Sequence, residues 1–103
     1  MFKKKFCSLL ELKNTDFIRR WSNELKDEII IFMKNNKIYV KSSICPHFGG
    51  IISYDKNNDY LFCDWHGLKF NLDGKCLNHK TFKVCLNNYD YELKNNNVYI
   101  IKK

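Results

Sequence analysis

The sequence predicts an all-β fold of stacked antiparallel sheets, in a sandwich or barrel-like arrangement. Its apolar runs are short, and a polar turn follows most of them closely. Two of these turns contain Asn35-Asn36 and Asp73-Gly74, residue pairs that tolerate the left-handed backbone of tight hairpins. Many short strands joined by close turns are typical of β-sandwiches and barrels.

One helical turn and three strands are predicted in the first part of the chain. "SLLE" fits the S-x-x-E capping box and predicts a short helical turn over residues 8–12. In "FIRRW" (17–21), Phe17, Arg19 and Trp21 can alternate with Ile18 and Arg20, which indicates a strand. "EIIIFMKNNKIYVK" predicts two further strands joined at its two asparagines.

The remainder of the chain predicts more hairpins. "IISY" and "DYLFC" flank the polar "DKNN", so a hairpin is expected between Gly50 and Cys63. The Asp-Gly turn separates "KFNL" from "KCL", and an alternating segment around Tyr91 leads through "KNNN" into "VYIIKK". No internal repeat or linker interrupts the pattern.

Length and composition indicate a single globular domain spanning residues 1–103. The hydrophobic fraction of 45% and the aromatic fraction of 16% supply enough material for a core. The net charge is +7, but the lysines are scattered, and we expect a solvated basic surface rather than a nucleic-acid site. We expect a monomer or weak oligomer.

Cysteine usage and hydropathy favour a cytoplasmic protein without a membrane segment. The five cysteines are an odd number and suggest no disulfide framework. Glu11 and Lys13 interrupt the N-terminal apolar residues, so no export signal is expected. The longest apolar run, "IIIFM" (29–33), is far below the roughly 20 residues that cross a bilayer.

Two short motifs carry the chemistry of the sequence. Cys45 and His47 form a C-x-H pair in "CPHFGG", and Cys63 and His66 form a C-x-x-H pair in "CDWHGLKF". Both motifs fall where one predicted strand passes to the next, so a rigid sheet could bring the two loop tips face to face. Two pairs with such similar spacing are much stronger evidence for a bound metal than either pair alone.

Three kinds of site could use these four residues. Common structural zinc sites group two cysteines and then two histidines, whereas here each loop has one of each. A nucleophilic cysteine needs one thiolate and its base, which leaves the duplication unexplained. A two-iron cluster explains it best, with Cys45 and Cys63 on one iron and His47 and His66 on the other.

The two motifs resemble the cluster-binding motifs of Rieske [2Fe-2S] proteins. The likeness extends to "CSLLEL", "KNNKIYVKSSICPH" and "LNNYDYELKNNNVYI", which resemble the corresponding stretches of Rieske ferredoxins. The resemblance implies a Rieske-type fold with two cluster-binding loops at its tip. It also implies one [2Fe-2S] cluster per chain, in a cluster-binding part of about residues 43–75 on a β base formed by the terminal segments.

The resemblance further implies a low-potential electron carrier. High-potential relatives have a serine and a tyrosine where this sequence has Leu68 and Phe70, and a loop-to-loop disulfide at the positions of Gly50 and Trp65. Because hydroxyl donors to the cluster sulfurs are missing, we expect a potential near the low end of the range, about −150 mV.

A low potential fits a ferredoxin without a substrate or catalytic residues of its own. It would accept electrons from a flavoprotein reductase and deliver them to an oxygenase or another redox enzyme. The small Rieske-like subunit of a nitrite reductase is the alternative, and a structural zinc module is a remote one.

Residues near the two motifs are expected to have supporting roles. Gly49, Gly50 and Gly67 are expected to let backbone N–H groups approach the sulfurs, and Pro46 to stiffen the first loop. Phe48 and Trp65 could form a docking rim or cover the cluster. The "CLNHKTFK" segment (76–83) lacks the proline common in the third loop of the family; His79 is expected to be solvated. Cys76 and Cys85 are expected to be buried or incidental, and Cys7 has no assigned role.

Overall fold

Strands make up most of the structure. The computed structural model describes residues 2–46, 49–64, 67–77 and 85–102. Over these ranges the chain forms one short helix, α1 (Leu9–Lys13), and nine strands. In chain order the strands are β1 (Phe2–Ser8), β2 (Ile18–Ser22), β3 (Asp27–Lys34), β4 (Lys37–Ser42), β5 (Ile52–Asp55), β6 (Tyr60–Cys63), β7 (Lys69–Phe70), β8 (Asp90–Lys94) and β9 (Asn97–Lys102).

The strands form three antiparallel sheets of three strands each. The orders are β1-β9-β8, β2-β3-β4 and β5-β6-β7. The first sheet joins the two ends of the described chain, because β1 pairs with β9. The third sheet contains only residues from the middle of the chain. With nine strands and one short helix among the described residues, the all-β prediction is confirmed.

Local signals in the sequence located most elements correctly. Ser8 caps α1, and a full capping box links its side chain and backbone to Glu11. Asn35 and Asn36, between β3 and β4, have φ values of 52° and 63°. Asn95 and Asn96 make the same kind of turn between β8 and β9, with φ values of 51° and 62°. The asparagine pairs thus form hairpin turns because they tolerate positive φ.

Strand β1 was not predicted from the sequence. Its pairing with β9 shifts register between Lys5 and Cys7, which marks a β-bulge. The bulge and the three exposed lysines, at residues 3–5, interrupt the alternation of apolar and polar residues that identifies a strand. The pairing with β9, which lies at the other end of the chain, is a tertiary contact.

Strand β3 separates two hydrophobic cores. Ile30 and Phe32 face a core that also contains Cys45 and Cys63. The intervening Ile29 and Ile31 face a second core, which includes residues of α1, β1 and β9. All four β3 side chains are fully buried, so this strand is apolar on both faces.

The segment that precedes β8 covers the outer edge of β4. The Ser42 amide donates to the Asn87 carbonyl over 2.9 Å, and the Tyr89 amide donates to the Val40 carbonyl over 3.0 Å. These bonds attach residues 87–89 to the sheet whose loop carries Cys45. Helix α1 is short, and the described part of the chain contains no helix with the length and apolarity needed to cross a membrane.

Candidate metal centre

Cys45 and Cys63 lie together in one apolar core. Each is 1% exposed, and both belong to the core that packs against β3. Cys63 is the last residue of β6, whereas Cys45 follows an isolated bridge between Ile44 and Ile51. The structure therefore brings together the two predicted thiolate ligands, which are 18 positions apart in the sequence.

The two loops that begin at these cysteines have the same backbone hydrogen bonds. The Cys45 amide donates to the Gly50 carbonyl over 2.7 Å, and the Gly49 amide donates to the Cys45 carbonyl over 2.8 Å. In the second loop the Cys63 amide donates to Leu68 over 2.9 Å, and the Gly67 amide donates to Cys63 over 3.2 Å. Each cysteine thus begins a loop of the same length and closure, although the histidine spacing differs.

Each loop has a glycine in the left-handed region four residues after its cysteine. Gly49 has φ of 73° and Gly67 has φ of 64°. An added Cβ at either position meets no atom of the described residues within 4 Å. The requirement for glycine therefore comes from the backbone conformation rather than from crowding.

Backbone hydrogen bonds connect the two loops. The Ile52 amide, just after the first loop, donates to the Ser43 carbonyl over 2.8 Å. Ile52 also pairs with Cys63 in the β5-β6 hairpin, and the Asp64 amide donates to the Ile51 carbonyl over 3.2 Å. Because the loops share this framework, the positions of Cys45 and Cys63 are fixed relative to one another.

The surroundings of the cysteines are apolar. Leu68 and Phe70 are 5% and 0% exposed and belong to the same core. Neither side chain has a hydroxyl group. Tyr54, in this core, donates its phenol to Asp59 over 3.2 Å, and burial followed by this hydrogen bond raises the pKa of Tyr54 to about 12. Its phenol is therefore directed to a carboxylate.

The segment after the Asp-Gly turn packs beside this core. Gly74 has φ of 91°, and the Leu86 amide donates to its carbonyl over 2.9 Å. Cys76 packs against the core, whereas Cys85 is exposed. Cys7 is buried in the other core, where burial raises the pKa of its thiol to about 11.

Several predicted site residues lie outside the described residues. They are His47, Phe48, Trp65, His66, residues 78–84 and, within that segment, His79. Among the described residues, no three His, Cys, Asp or Glu side chains form a group able to hold a metal ion. The described part of the site is thus the pair of buried cysteines and the loops that present them.

Two polar networks near the first loop were not predicted. Asp27, 8% exposed, accepts hydrogen bonds from the Ser42 hydroxyl over 3.0 Å and from the Tyr89 phenol over 2.6 Å. Arg19 donates to Ser43 and to residues at the start of β5. One pattern in the sequence bears on Arg19, since the alternation in "FIRRW" puts it on the same strand face as Phe17.

Comparisons with known proteins identify the fold and its relatives. A family model described as the Rieske [2Fe-2S] domain matches residues 4–90. The cytochrome b6-f complex iron-sulfur subunit of Chlorobaculum tepidum is 31% identical over 51 residues, which are 50% of this chain and 28% of the relative. The chain therefore spans less than a third of the length of that curated relative.

Two solved structures share the whole fold. The ferredoxin of carbazole 1,9a-dioxygenase from Nocardioides aromaticivorans IC177 has a TM-score of 0.80 at 15% identity, over 100% of both chains. A protein assigned as an NADH-dependent nitrite reductase small subunit from Mycobacterium tuberculosis has a TM-score of 0.69 at 15% identity. That match covers 96% of this chain and 93% of the other.

Proposed function

Because the chain belongs to the Rieske [2Fe-2S] domain family, we propose that Cys45, His47, Cys63 and His66 hold its cluster. The family implies one [2Fe-2S] cluster and an electron-transfer role. In the proposed arrangement the two cysteines bind one iron and the two histidines bind the other. The matching hydrogen bonds of the two cysteine loops are the observation that carries this assignment.

The described residues fit such a cluster. Thiolates are the ligands that iron-sulfur clusters use. Cys45 and Cys63 lie in the same core, and each begins a loop that is closed by the same pattern of backbone hydrogen bonds. No atom of the described residues lies within 4 Å of a Cβ built at Gly49 or Gly67. The apolar Leu68 and Phe70 exclude water from the cysteine side.

The ligand set defines the chemistry of the site. When bound, a Rieske cluster supplies one-electron transfer at a higher potential than an all-cysteine cluster, since two neutral imidazoles replace two thiolates. The chain's own residues keep the cysteines buried, fix their separation and exclude bulk water from the sulfur side. No residue is assigned a catalytic role, and we propose an electron carrier without its own substrate.

We also propose that about residues 43–75 are the cluster-binding part of a single domain, 1–103. The β5-β6-β7 sheet and both cysteine loops lie in this stretch. The β1-β9-β8 sheet, which joins the terminal segments, is the proposed base.

The more specific role that we propose is that of a cytoplasmic ferredoxin between a flavoprotein reductase and an oxygenase. Leu68 and Phe70 support it, because neither offers a hydroxyl to raise the potential. The likeness to the carbazole dioxygenase ferredoxin over both entire chains agrees with this role. The odd cysteine count supports the cytoplasmic location.

The small subunit of a nitrite reductase is the second candidate. The likeness to the protein assigned to that class in Mycobacterium tuberculosis supports it at the level of the fold. A permanent subunit co-purifies with its large partner, whereas a ferredoxin purifies alone and reduces an oxygenase when supplied with a reductase. Affinity purification from the native cells, followed by that reconstitution, distinguishes the two roles.

The cluster assignment is tested on anaerobically purified protein. We expect two irons and two sulfides per chain, and an EPR signal after dithionite reduction. Cys45→Ser should lose most of the iron, while Cys76→Ser should retain it, because Cys76 is partly buried against the same core but lies outside the two motifs. Stoichiometric zinc without iron, or equal iron loss in both variants, would contradict the proposal.

The histidine ligands need a separate experiment. If a cluster survives in His66→Cys, its reduction potential should fall, because a thiolate adds negative charge next to the iron. An intact cluster with an unchanged potential would exclude His66 as a ligand.

A further inference from the structure

Arg19 is a partly buried cation that contacts both ends of the first cysteine loop. Its Nε donates to the Ser43 hydroxyl over 2.8 Å, and its Nη2 donates to the Ile52 carbonyl over 2.7 Å. Nη2 also donates to the Ser53 hydroxyl over 2.9 Å. Ser43 is two residues before Cys45, and Ile52 follows the loop. One guanidinium group therefore joins the chain entering the loop to the chain leaving it.

The bonds made by Arg19 reinforce a neck that the backbone already forms. The Ile52 amide donates to the Ser43 carbonyl, and the Ser43 hydroxyl donates to the Ile52 carbonyl over 3.0 Å. Ser43 is 1% exposed, and its amide donates to the Glu28 carbonyl over 2.7 Å. The planar guanidinium presents several donors in a fixed geometry, so it suits a site with three acceptors on two segments of backbone, one before and one after the loop.

The guanidinium of Arg19 is not neutralised by an acidic partner among the described residues. Its described contacts are one carbonyl, two hydroxyls and the ring of Phe17, whose centroid lies 5.1 Å from Cζ. Arg20, the next residue, differs: it contacts Glu11 and the Phe6 carbonyl and lies on the opposite side of β2. Arg19 thus places at the neck of the loop a positive charge that no acidic side chain of the described residues pairs with.

We propose that Arg19 is a positioning residue of the cluster site, which clamps the neck of the Cys45 loop and favours the reduced cluster through its charge. This inference rests on the proposed ligand role of Cys45. A bound electron adds negative charge to the cluster, and a nearby fixed cation stabilises that state. Partial burial reduces the screening of this interaction by salt.

The test compares three variants of the cluster-loaded protein. Arg19→Gln removes the charge and the fork of donors, Arg19→Lys keeps the charge without the fork, and Arg20→Gln removes one charge from the same strand away from the loop. Reduction potentials are measured by protein-film voltammetry. Hydrogen exchange is followed by mass spectrometry in a peptide spanning residues 43–52, with a peptide from β8 and β9 as the internal reference.

The clamp and the charge give separate signals. Arg19→Gln should speed exchange in residues 43–52 roughly tenfold relative to the reference peptide, as loss of hydrogen bonds to a charged donor predicts. Its potential should fall below that of the wild type and of Arg20→Gln. Arg19→Lys should restore the potential while exchange remains faster than in the wild type.

Two outcomes would overturn the inference. One is a potential in Arg19→Gln that is no lower than in Arg20→Gln. The other is unchanged exchange in residues 43–52 of Arg19→Lys, a result that decides the matter even if Arg19→Gln does not fold. Iron retention in Cys45→Ser compared with Cys76→Ser tests the proposed ligand role of Cys45 independently, so failure of the ligand assignment is distinguishable from failure of the Arg19 role.

Discussion

The backbone conformation of each cysteine loop favours glycine at one position. Gly67 has φ of 64° and Gly49 has φ of 73°, values that residues with a Cβ adopt at a cost. Both glycines donate their amides to the cysteine four positions earlier. The loop closure that holds each cysteine therefore depends on the backbone conformation of a glycine four positions later.

Replacement of Gly67 tests this dependence. Gly67→Ala should lower the free energy of unfolding by about 1–2 kcal/mol, the cost of a left-handed conformation for an alanine. Gly67→Asn should cost less, because asparagine tolerates that region and the site has no crowding from described atoms. Urea unfolding measures both variants. A loss in Gly67→Asn equal to or larger than that in Gly67→Ala would contradict the conformational role of this glycine.

Tyr89 makes the folding stability of the protein depend on pH in the alkaline range. Burial, followed by the hydrogen bond to the Asp27 carboxylate, raises the pKa of Tyr89 to about 12, above the ordinary value of 10.0. The folded state therefore favours the neutral phenol. Its contribution is fully present below pH 10.0 and is lost as the pH rises towards about 12.

The Tyr89→Phe variant should flatten this alkaline decline. Unfolding free energies measured across that pH window should fall less steeply than in the wild type. The decline should not vanish, because the pKa of Tyr54 is also raised to about 12. Tyr91→Phe, at an exposed position of β8, is the matched control. Parallel curves for wild type and Tyr89→Phe would contradict the assignment.

At the scale of elements, β3 connects the core of Cys45 and Cys63 with the rest of the protein. Its side chains alternate between the core that contains both cysteines and the core beneath α1, β1 and β9. The run "IIIFM" has no polar residue to reveal which face is which. A strand buried on both faces has a continuous apolar sequence, so the two cores could not be separated from the sequence alone.

Substitutions on the two faces of β3 should have different effects. Ile30→Ala and Ile31→Ala should each cost about 2–5 kcal/mol of unfolding free energy, because both side chains are fully buried. Only Ile30→Ala should also accelerate iron release to a chelator, since its cavity opens in the core of Cys45 and Cys63. Urea unfolding and chelator kinetics measure the two effects. Equal rates of iron release would contradict this division.

Hairpins could be predicted, but the pairing of the chain ends could not. Asn35-Asn36 specifies a turn through its own backbone preference. The β1 strand has no comparable local signal, because its bulge interrupts the alternation of side chains. Its pairing with β9 depends on contacts between opposite ends of the sequence.

At the scale of the whole molecule, the positive net charge and the lack of hydroxyl donors to the sulfurs change the potential in opposite directions. The net charge of +7 favours reduction of the cluster. Exposed lysines are screened by salt over about 10 Å, whereas hydrogen bonds to the sulfurs act at contact. With Leu68 and Phe70 in place of hydroxyl residues, the missing hydrogen bonds should dominate.

We therefore expect a reduction potential near the low end of the Rieske range, about −150 mV. Protein-film voltammetry measures it. The potential should fall slightly with ionic strength, as salt screens the basic surface. A strongly positive value would show that other donors serve the sulfurs and would argue against the ferredoxin role.

The sequence by itself determined the all-β class, most hairpins and the two cysteine motifs. These features depend on local rules: side-chain alternation, the backbone preferences of asparagine and glycine, and the spacing of ligand residues. Each of them can be identified within a short stretch of chain.

Only the tertiary structure decided how distant segments meet. It brought Cys45 and Cys63 into one core, gave their loops the same closure, and placed Arg19 across the neck of the first loop. It also set Tyr89 against Asp27. The physical reason is that these contacts form only when sheets pack, and the sequence pattern of each segment does not specify its partner.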